Sequence, residues 1–362
     1  MYEATGMISA GTSLLGRIIN SKGEPVDGKG PLTDTTLISL VSFTPGAERQ
    51  PGANKMFETG IKMIDLLAPM AHGGVSGLFA DTGVGKQVTV EEIMQHVTTR
   101  NSKSAVICLS MDESSYQASE LMQAIHEGGL ERHTVMVFER TIDSPAVAQR
   151  LAQVGLTIAA HFQAHGYTTL LVADRQVTTR GELIGLDALN KQAAQHSVTT
   201  ILLGTGDGYT RYRQNGLLAR LDAHLLYNRE LFKRKIYPAI DPLQSRSRLL
   251  DEGLVSSEHR RVAQQARELL QRYYELHKAV EAHGEAGLSA EDQQTFQRGQ
   301  RVEQFLTQPF VVAEPYTDIP GEYVRLDDTI RSFAALLSGQ YDDVPEKSFW
   351  MVGTIDQALA KR

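Results

Sequence analysis

Short apolar segments alternate with longer stretches of helical spacing between residues 55 and 250, and this alternation constrains the fold more than any other feature. Five segments have the length and composition of buried strands, at residues 75–80, 105–109, 133–138, 168–173 and 199–203. Helical patterns lie between them at residues 86–99, 115–127, 144–164 and 181–195. Because strands that alternate with helices favour parallel pairing, we predict an α/β fold with a mostly parallel sheet and helices on both faces.

The chain on either side of this region has a different character. Residues 1–50 are rich in glycine and proline turns and contain short β-prone pieces at 14–19 and 36–43, which predicts an irregular segment of strands and loops. Beyond residue 254 the strand patterns stop, and helices are predicted at residues 257–283, from a cap at Ser289 through 306, at 326–338 and at 354–361. We therefore divide the chain into an N-terminal β/loop segment (1–50), an α/β domain (51–254) and an α-helical domain (255–362).

The composition excludes several classes of protein. The 362 residues include 36 Lys and Arg against 43 Asp and Glu, a net charge of −7, which gives no basic surface for nonspecific binding of nucleic acid. The single cysteine, Cys108, lies in an apolar segment, which excludes a disulfide framework and fits a reducing compartment. No apolar stretch approaches the roughly 20 residues that span a bilayer, and the first residues lack a signal-peptide pattern. We expect a cytoplasmic protein that does not bind nucleic acid.

A glycine-rich turn follows the first predicted strand of the α/β region. The sequence VSGLFADTGVGKQ places Gly83, Gly85 and Lys86 between a strand and a helix, which is the context of a phosphate-binding P-loop. Backbone N–H groups of such a turn bind phosphate oxygens, and the lysine reaches the outer phosphates. Two residues depart from the pattern G-x-x-x-x-G-K-[ST], since Ala80 replaces the first glycine and Gln87 replaces the hydroxyl that binds Mg²⁺. The turn therefore predicts phosphate binding with an altered metal site; the alternative is a chance glycine-rich turn.

Carboxylates follow two other predicted strands. Asp174 ends the strand that begins at Thr168, where P-loop NTPases place an aspartate associated with Mg²⁺. Asp112 and Glu113 follow the strand that contains Cys108, and either could orient an attacking water. Acidic residues at strand ends and helix starts also serve as turn residues and caps, so both interpretations stay open for all three residues.

Most of the chain resembles the β subunit of the rotary ATP synthase, a member of the proton-translocating ATPase α/β family. The resemblance begins near Leu15 and rests on a collinear series of segments: GRIIN (16–20), GEPVD (23–27), TGIKMIDLLAP (59–69), IYPAIDPL (236–243) and FLTQPFVVAE (305–314). It implies a P-loop NTPase (RecA-like) core with a mostly parallel sheet flanked by helices, followed by an α-helical C-terminal domain, with the family's N-terminal β-barrel largely absent. Secretion-apparatus and vacuolar-type ATPases share this core, but the C-terminal residues look more like the synthase β subunit.

The resemblance also implies which residues bind nucleotide. The phosphate contacts would come from Gly83, Val84, Gly85, Lys86, Gln87 and Val88. The adenine slot would be formed by Tyr237, Phe310, Ala313 and Tyr316, whose rings offer flat apolar faces to a base. The implied cofactor is ATP or ADP, and Mg²⁺, where bound, would take Gln87 and Asp174 as ligands.

The positions that carry catalysis in the family are altered together. Asp112 falls on the water-activating glutamate, and Glu113 falls on a phosphate-contacting arginine, which reverses the charge. A second family arginine, close to Asp174, falls on Thr178. These changes predict an ATP-binding subunit whose hydrolysis or synthesis is weak or lost.

Two alternatives stay open for the function. One is an active ATPase of the β type that uses Lys86, Asp112 or Glu113, and Asp174; the other is a non-enzymatic scaffold of the same fold. As in the family, the expected partners besides nucleotide are an α-like subunit in a ring, or further copies of this chain. Through other subunits, such a ring would associate with a proton-translocating membrane sector.

Overall fold

The computed structural model describes residues 6–42, 51–111, 123, 125–139, 145–174, 184–284 and 287–361. Asp112, Glu113 and most of the helix predicted at 115–127 lie outside these residues. The chain forms two compact units whose boundaries interleave. The first comprises Met1–Phe57, Ala71–Phe79 and Thr89–Asp222, and the second comprises Glu58–Met70, Ala80–Val88 and Ala223–Arg362. The three-part division drawn from the sequence stays a prediction.

The strands and helices are numbered in chain order. The strands are β1 (Met7–Ala10), β2 (Arg17–Ile19), β3 (Thr36–Ser39), β4 (Met56–Phe57), β5 (Met70–Ala71), β6 (Val75–Phe79), β7 (Ser104–Met111), β8 (Thr134–Glu139), β9 (Thr168–Asp174), β10 (Thr199–Gly204), β11 (Ala223–Leu226) and β12 (Arg246–Ser247). The helices are α1 (Lys62–Leu67), α2 (Lys86–Arg100), α3 (Pro145–Ala164), α4 (Ile184–Gln195), α5 (Gly206–Gln214), α6 (Arg229–Lys233), α7 (Arg248–Asp251), α8 (Ser257–His283), α9 (Ala290–Leu306), α10 (Glu314–Thr317), α11 (Leu326–Leu337) and α12 (Ile355–Ala360).

A parallel sheet forms the core of the first unit. Its strand order is β6–β10–β9–β7–β8–β2, and every neighbouring pair is parallel. All residues of β6 and β10 are buried, and neither strand contains a charged residue, as expected of strands that are covered on both faces. Helix α3 packs on this sheet through Leu151, Val154, Ile158 and Phe162, which are buried at helical spacing. The predicted parallel sheet with flanking helices is confirmed.

The N-terminal segment is more regular than its sequence suggested. The β-prone piece at 14–19 is a turn of 3₁₀ helix followed by β2, which pairs in parallel with β8 at the edge of the sheet. The predicted strand at 36–43 ends at Ser39, and β3 pairs with β1 in antiparallel register. The Arg17 guanidinium donates to both carboxylate oxygens of Asp27, at 2.7 and 3.0 Å, and this bond holds the pKa of Asp27 well below its usual range. The ion pair fixes the turn that follows β2.

Helices dominate the second unit, as predicted from the sequence. The Ser256 and Ser289 hydroxyls accept hydrogen bonds from the third residues of α8 and α9, at 3.1 Å each, and so begin both helices. The two helices pack through Tyr273 and Phe296, whose ring centroids lie 5.4 Å apart. The same unit contains the short antiparallel pair of β11 and β12. No helix within the described ranges is long and apolar enough to cross a membrane.

Candidate nucleotide site

The turn between β6 and α2 has the backbone conformation that a phosphate cradle requires. Gly83 and Gly85 have φ angles of 79° and 86°, in the left-handed region that favours glycine. Beyond their chain neighbours, no atom of the described residues lies within 4 Å of the point where a Cβ would stand on either glycine. Lys86 begins α2 and is 7 % exposed, and Val84 is buried beside it. The turn therefore leaves open space next to backbone N–H groups and a helix N-terminus, an arrangement suited to an anion.

Helix α6 is attached to this turn by one side chain. The exposed Arg229 donates from Nη2 to the carbonyl oxygen of Thr82 at 3.0 Å. Asn228 caps the helix by accepting from the Glu230 N–H at 2.9 Å, and it donates to the Asp241 carboxylate at 3.1 Å. On the other side of the helix, Leu231 is buried in a small apolar cluster. The helix is therefore anchored on its buried side and reaches the turn with its exposed arginine.

The aromatic side chains predicted to hold adenine have different environments. Tyr237 is half-buried, and Phe232 of α6 meets it edge-on with the centroids 5.5 Å apart. The segment containing Phe310 is joined to Tyr237 by a 3.0 Å hydrogen bond from the Gln308 N–H to the Tyr237 carbonyl. Phe310 is 7 % exposed and Ala313 is half-buried, whereas the Tyr316 residue on α10 is 79 % exposed. The structure thus joins the Tyr237 and Phe310 segments and leaves the Tyr316 ring open to solvent.

Gln308 is a buried connector that the sequence analysis did not single out. Its Oε1 accepts from the Lys62 N–H at 2.9 Å, and its Nε2 donates to the carbonyl oxygens of Gly60 and Glu322, at 2.7 and 2.6 Å. With its own N–H bonded to Tyr237, the residue fixes the segment before Phe310 against three other parts of the second unit. Its only signal in the sequence was its place within the segment 305–314.

Two charged side chains of α1 are fully buried in the same unit. The Lys62 ammonium donates to the Val352 carbonyl at 2.6 Å and lies 3.8 Å from the centroid of the Phe305 ring. Burial lowers the pKa of Lys62 well below its ordinary value. The Asp65 carboxylate accepts from the Thr59 N–H and hydroxyl and from the Gly60 N–H, at 2.7–2.9 Å. Burial nevertheless raises the pKa of Asp65 to about 7.

The residues proposed as magnesium ligands and as groups acting on water are only partly described. Strand β9 ends at Asp174, whose backbone stands opposite Leu203 of β10, but its side chain lies outside the described residues, as do Asp112 and Glu113. Gln87 is half-buried, and its Nε2 is fully buried with no hydrogen-bond acceptor among the described residues. Within those residues no group of three or more His, Cys, Asp and Glu side chains is placed to hold a metal ion.

The donors at this position do not fit a Mg²⁺ site of the usual kind. The ion prefers carboxylate, hydroxyl and water oxygens in a small octahedron. Gln87 instead brings an amide whose buried end is a donor.

Two segments of the chain match models of protein families. Residues 60–180 match the model of the ATP synthase alpha/beta family, nucleotide-binding domain. Residues 249–343 match the model of the C-terminal domain of V and A type ATP synthase. The chain belongs to the ATP synthase alpha/beta family. As a member of this family, it is a nucleotide-binding subunit of the ATP synthase type, which confirms the family predicted from the sequence.

The two matches correspond to the two kinds of structure in the chain. The first includes the glycine turn with Lys86 and most of the parallel sheet, and the second includes α8 and α9. The second model is described for V and A types, so it does not support the expectation that the C-terminal residues are closer to the synthase β subunit than to vacuolar-type ATPases. The matches establish the family and do not decide the class of subunit.

Proposed function

We propose that this family member is an ATP- or ADP-binding subunit similar to the β subunit of the rotary ATP synthase, and that its hydrolysis or synthesis is weak or lost. The observation that carries the proposal is a turn that keeps Gly83, Gly85 and Lys86 and is followed directly by Gln87, where the family pattern has the hydroxyl that holds Mg²⁺. Binding of phosphates draws on backbone N–H groups and Lys86. Phosphoryl transfer also requires a metal ion and a positioned water, and those parts are the altered ones.

The base would be held by the aromatic slot. Tyr237 and Phe310 belong to segments joined by the Gln308 bond, and Ala313 and Tyr316 follow on the Phe310 side. A ring face against adenine supplies apolar contact and stacking without needing a charged partner. Tyr316, which is 79 % exposed, would form the solvent side of this slot.

The chemical step is where the chain departs from its family. Asp112 is one methylene shorter than glutamate, so it would hold an attacking water further from the terminal phosphate. Glu113 places a negative charge where the family uses an arginine against the phosphates. Because electrostatic stabilisation supplies most of the acceleration in phosphoryl transfer, we propose that these changes and Gln87 together reduce turnover by several orders of magnitude.

We also propose that the subunit acts within a ring. The family builds its nucleotide sites between neighbouring subunits, so the partner would be an α-like subunit or a second copy of this chain, with an arginine completing the site. Coupling to proton transport would then depend on other subunits. Co-expression with an α-type subunit and sizing of the complex, with and without nucleotide, tests this assembly.

Nucleotide titration distinguishes a nucleotide-binding subunit with little turnover from an active ATPase and from a non-enzymatic scaffold. We expect calorimetry to show ADP and ATP binding with a Kd of about the micromolar range, and a phosphate-release assay to show no steady turnover. Lys86→Ala should abolish the binding, whereas Gln264→Ala, a change of an exposed glutamine on α8, should leave it unchanged. Steady turnover with Mg²⁺ would instead identify an active ATPase, and no binding under any condition would identify a scaffold. If only these positions limit the chemistry, Gln87→Thr combined with Asp112→Glu should raise hydrolysis.

A further inference from the structure

Gln87 has a buried donor without an acceptor next to the phosphate turn. It directly follows Lys86 in the first turn of α2, and its Nε2 has no hydrogen-bond acceptor among the residues that the structure describes. A buried N–H group that has lost its water costs free energy unless an acceptor arrives. An acceptor supplied by a ligand would remove this cost, and phosphate oxygens are strong acceptors.

We propose that Gln87 donates its amide N–H to a phosphate oxygen of the nucleotide and so takes the place of Mg²⁺. The site then selects the metal-free nucleoside diphosphate or triphosphate. This inference rests on the proposed function, because it names the form of nucleotide that the same site accepts. This preference for a form of nucleotide is set by the residues of this chain. The family pattern, with its hydroxyl ligand, does not predict it.

The length and chemistry of glutamine favour the amide over the ion. A serine or threonine hydroxyl is short and leaves room for an ion between itself and the phosphates, whereas a glutamine side chain is longer and would occupy part of that room. The amide can turn by 180° about its last bond, but its oxygen and the phosphate oxygens are both acceptors. The N–H end is therefore the one that faces the phosphate.

The charges around the turn are consistent with an anion that comes without its metal. Lys86 is at the helix start, and the exposed Arg229 guanidinium is bonded to the turn through Thr82. Asp81 is the acidic residue of the turn itself, and it is exposed to solvent. Among the described side chains, these two cations and one solvated carboxylate favour an anion at the turn.

The test is titration of ADP in EDTA and in excess Mg²⁺, for the wild type and three variants. The wild type should bind ADP about tenfold more weakly in excess Mg²⁺ than in EDTA, because Mg²⁺ removes most of the metal-free form. Gln87→Glu keeps the size but replaces the donor by a carboxylate, so metal-free binding should weaken by at least about tenfold and Mg²⁺ should restore part of it. Gln87→Thr should create a preference for Mg²⁺ of about tenfold. Gln264→Glu, on the exposed face of α8, is the matched control and should change neither value.

The outcomes separate this inference from the proposed function. Wild-type binding that is equally tight or tighter with Mg²⁺ overturns the metal-free preference and leaves nucleotide binding intact. Equal metal-free affinities of the wild type and Gln87→Glu overturn the role of the amide. No binding of ADP in either condition overturns both proposals. Thermal unfolding of each variant shows that the loss of affinity is not a loss of fold.

Discussion

Arg229 donates from Nη2 to the carbonyl oxygen of Thr82 at 3.0 Å, and this bond ties helix α6 to the phosphate turn. Three residues further along the same helix, the Phe232 ring meets Tyr237 edge-on at 5.5 Å. The two side chains start about 4.5 Å apart along the helix axis, at 1.5 Å per residue. One short helix therefore positions the proposed phosphate and adenine contacts relative to each other.

Removing the Arg229 side chain should weaken binding of the phosphates and leave binding of the adenine base unchanged. We expect Arg229→Ala to weaken binding of ADP and of pyrophosphate by about fivefold each, because an exposed charged hydrogen bond contributes about 1 kcal/mol. Binding of adenosine should stay the same. Calorimetry measures the affinities for ADP, pyrophosphate and adenosine. Arg331→Ala, in an exposed ion pair of α11, is the control. Equal weakening for adenosine and pyrophosphate would show a general loss of structure instead.

Removing the Phe232 ring should have the opposite effect, because it should weaken binding of the adenine base and leave binding of the phosphates unchanged. We expect Phe232→Ala to weaken adenosine and ADP binding by about three- to tenfold, since an edge-to-face aromatic contact contributes about 0.5–1.5 kcal/mol and Tyr237 would lose its support. Pyrophosphate affinity should not change. Phe232→Tyr keeps the ring and should retain wild-type adenosine binding. A variant that loses pyrophosphate and keeps adenosine would contradict the assignment of Tyr237 to the base.

The long elements of this fold could be predicted because each repeats its pattern many times. Helix α8 covers the predicted residues 257–283, and the serine cap predicted at Ser289 begins α9. Helices α1 and α6, with 6 and 5 residues, are too short to show a helical period, and neither was predicted. These unpredicted helices nevertheless carry Lys62, Asp65 and Arg229.

The contacts that organise the site could not be predicted for a different reason. Arg229 and Thr82 are 147 residues apart, and Gln308 and Gly60 are 248 residues apart. In both pairs the acceptor is a main-chain carbonyl, which every residue has and which no side-chain pattern marks. The glycine turn was predictable because its chemistry is contained within consecutive residues.

Breaking the ion pair between Arg234 and Glu303 should destabilise the second unit strongly. The Glu303 side chain is 1 % exposed, and its carboxylate also accepts from the Tyr273 hydroxyl at 3.2 Å. Burial raises the pKa of Glu303, and Arg234 opposes that rise. We expect Arg234→Met to lower the free energy of unfolding by about 3 kcal/mol, because it leaves a buried carboxylate without its cation.

A double variant distinguishes the unpaired charge from lost packing. Arg234→Met combined with Glu303→Leu should recover at least about half of that loss, since no buried charge remains. Arg272→Met breaks a more exposed pair with Asp292 and should lower the free energy of unfolding far less than Arg234→Met does. Urea unfolding of the four proteins measures these values. A loss below about 1 kcal/mol for Arg234→Met would show that water reaches Glu303 when its partner is removed.

Asp65 should make the stability of the chain depend on pH in the opposite direction to an ordinary carboxylate. Its pKa is raised by burial from 3.8 to about 7 in the folded chain, so the folded state holds an additional proton between these values. The stability from this group is fully present below about pH 4 and is lost as the pH rises through about 7. The pKa of Lys62 on the same helix is lowered by burial, so that this group acts on the pH dependence in the other direction.

Asp65→Asn isolates this contribution, because the amide does not titrate and has nearly the same size. Between pH 5 and 7 the wild type should lose stability relative to the variant by up to about 1.4 kcal/mol per pH unit. Urea unfolding at half-unit steps of pH measures the difference, and the Lys62 contribution cancels because both proteins contain it. Gln264→Ala, a change of an exposed side chain that does not titrate, should differ from the wild type by a constant amount over the same range. A constant difference for Asp65→Asn as well would show that the three hydrogen bonds to its carboxylate keep it charged.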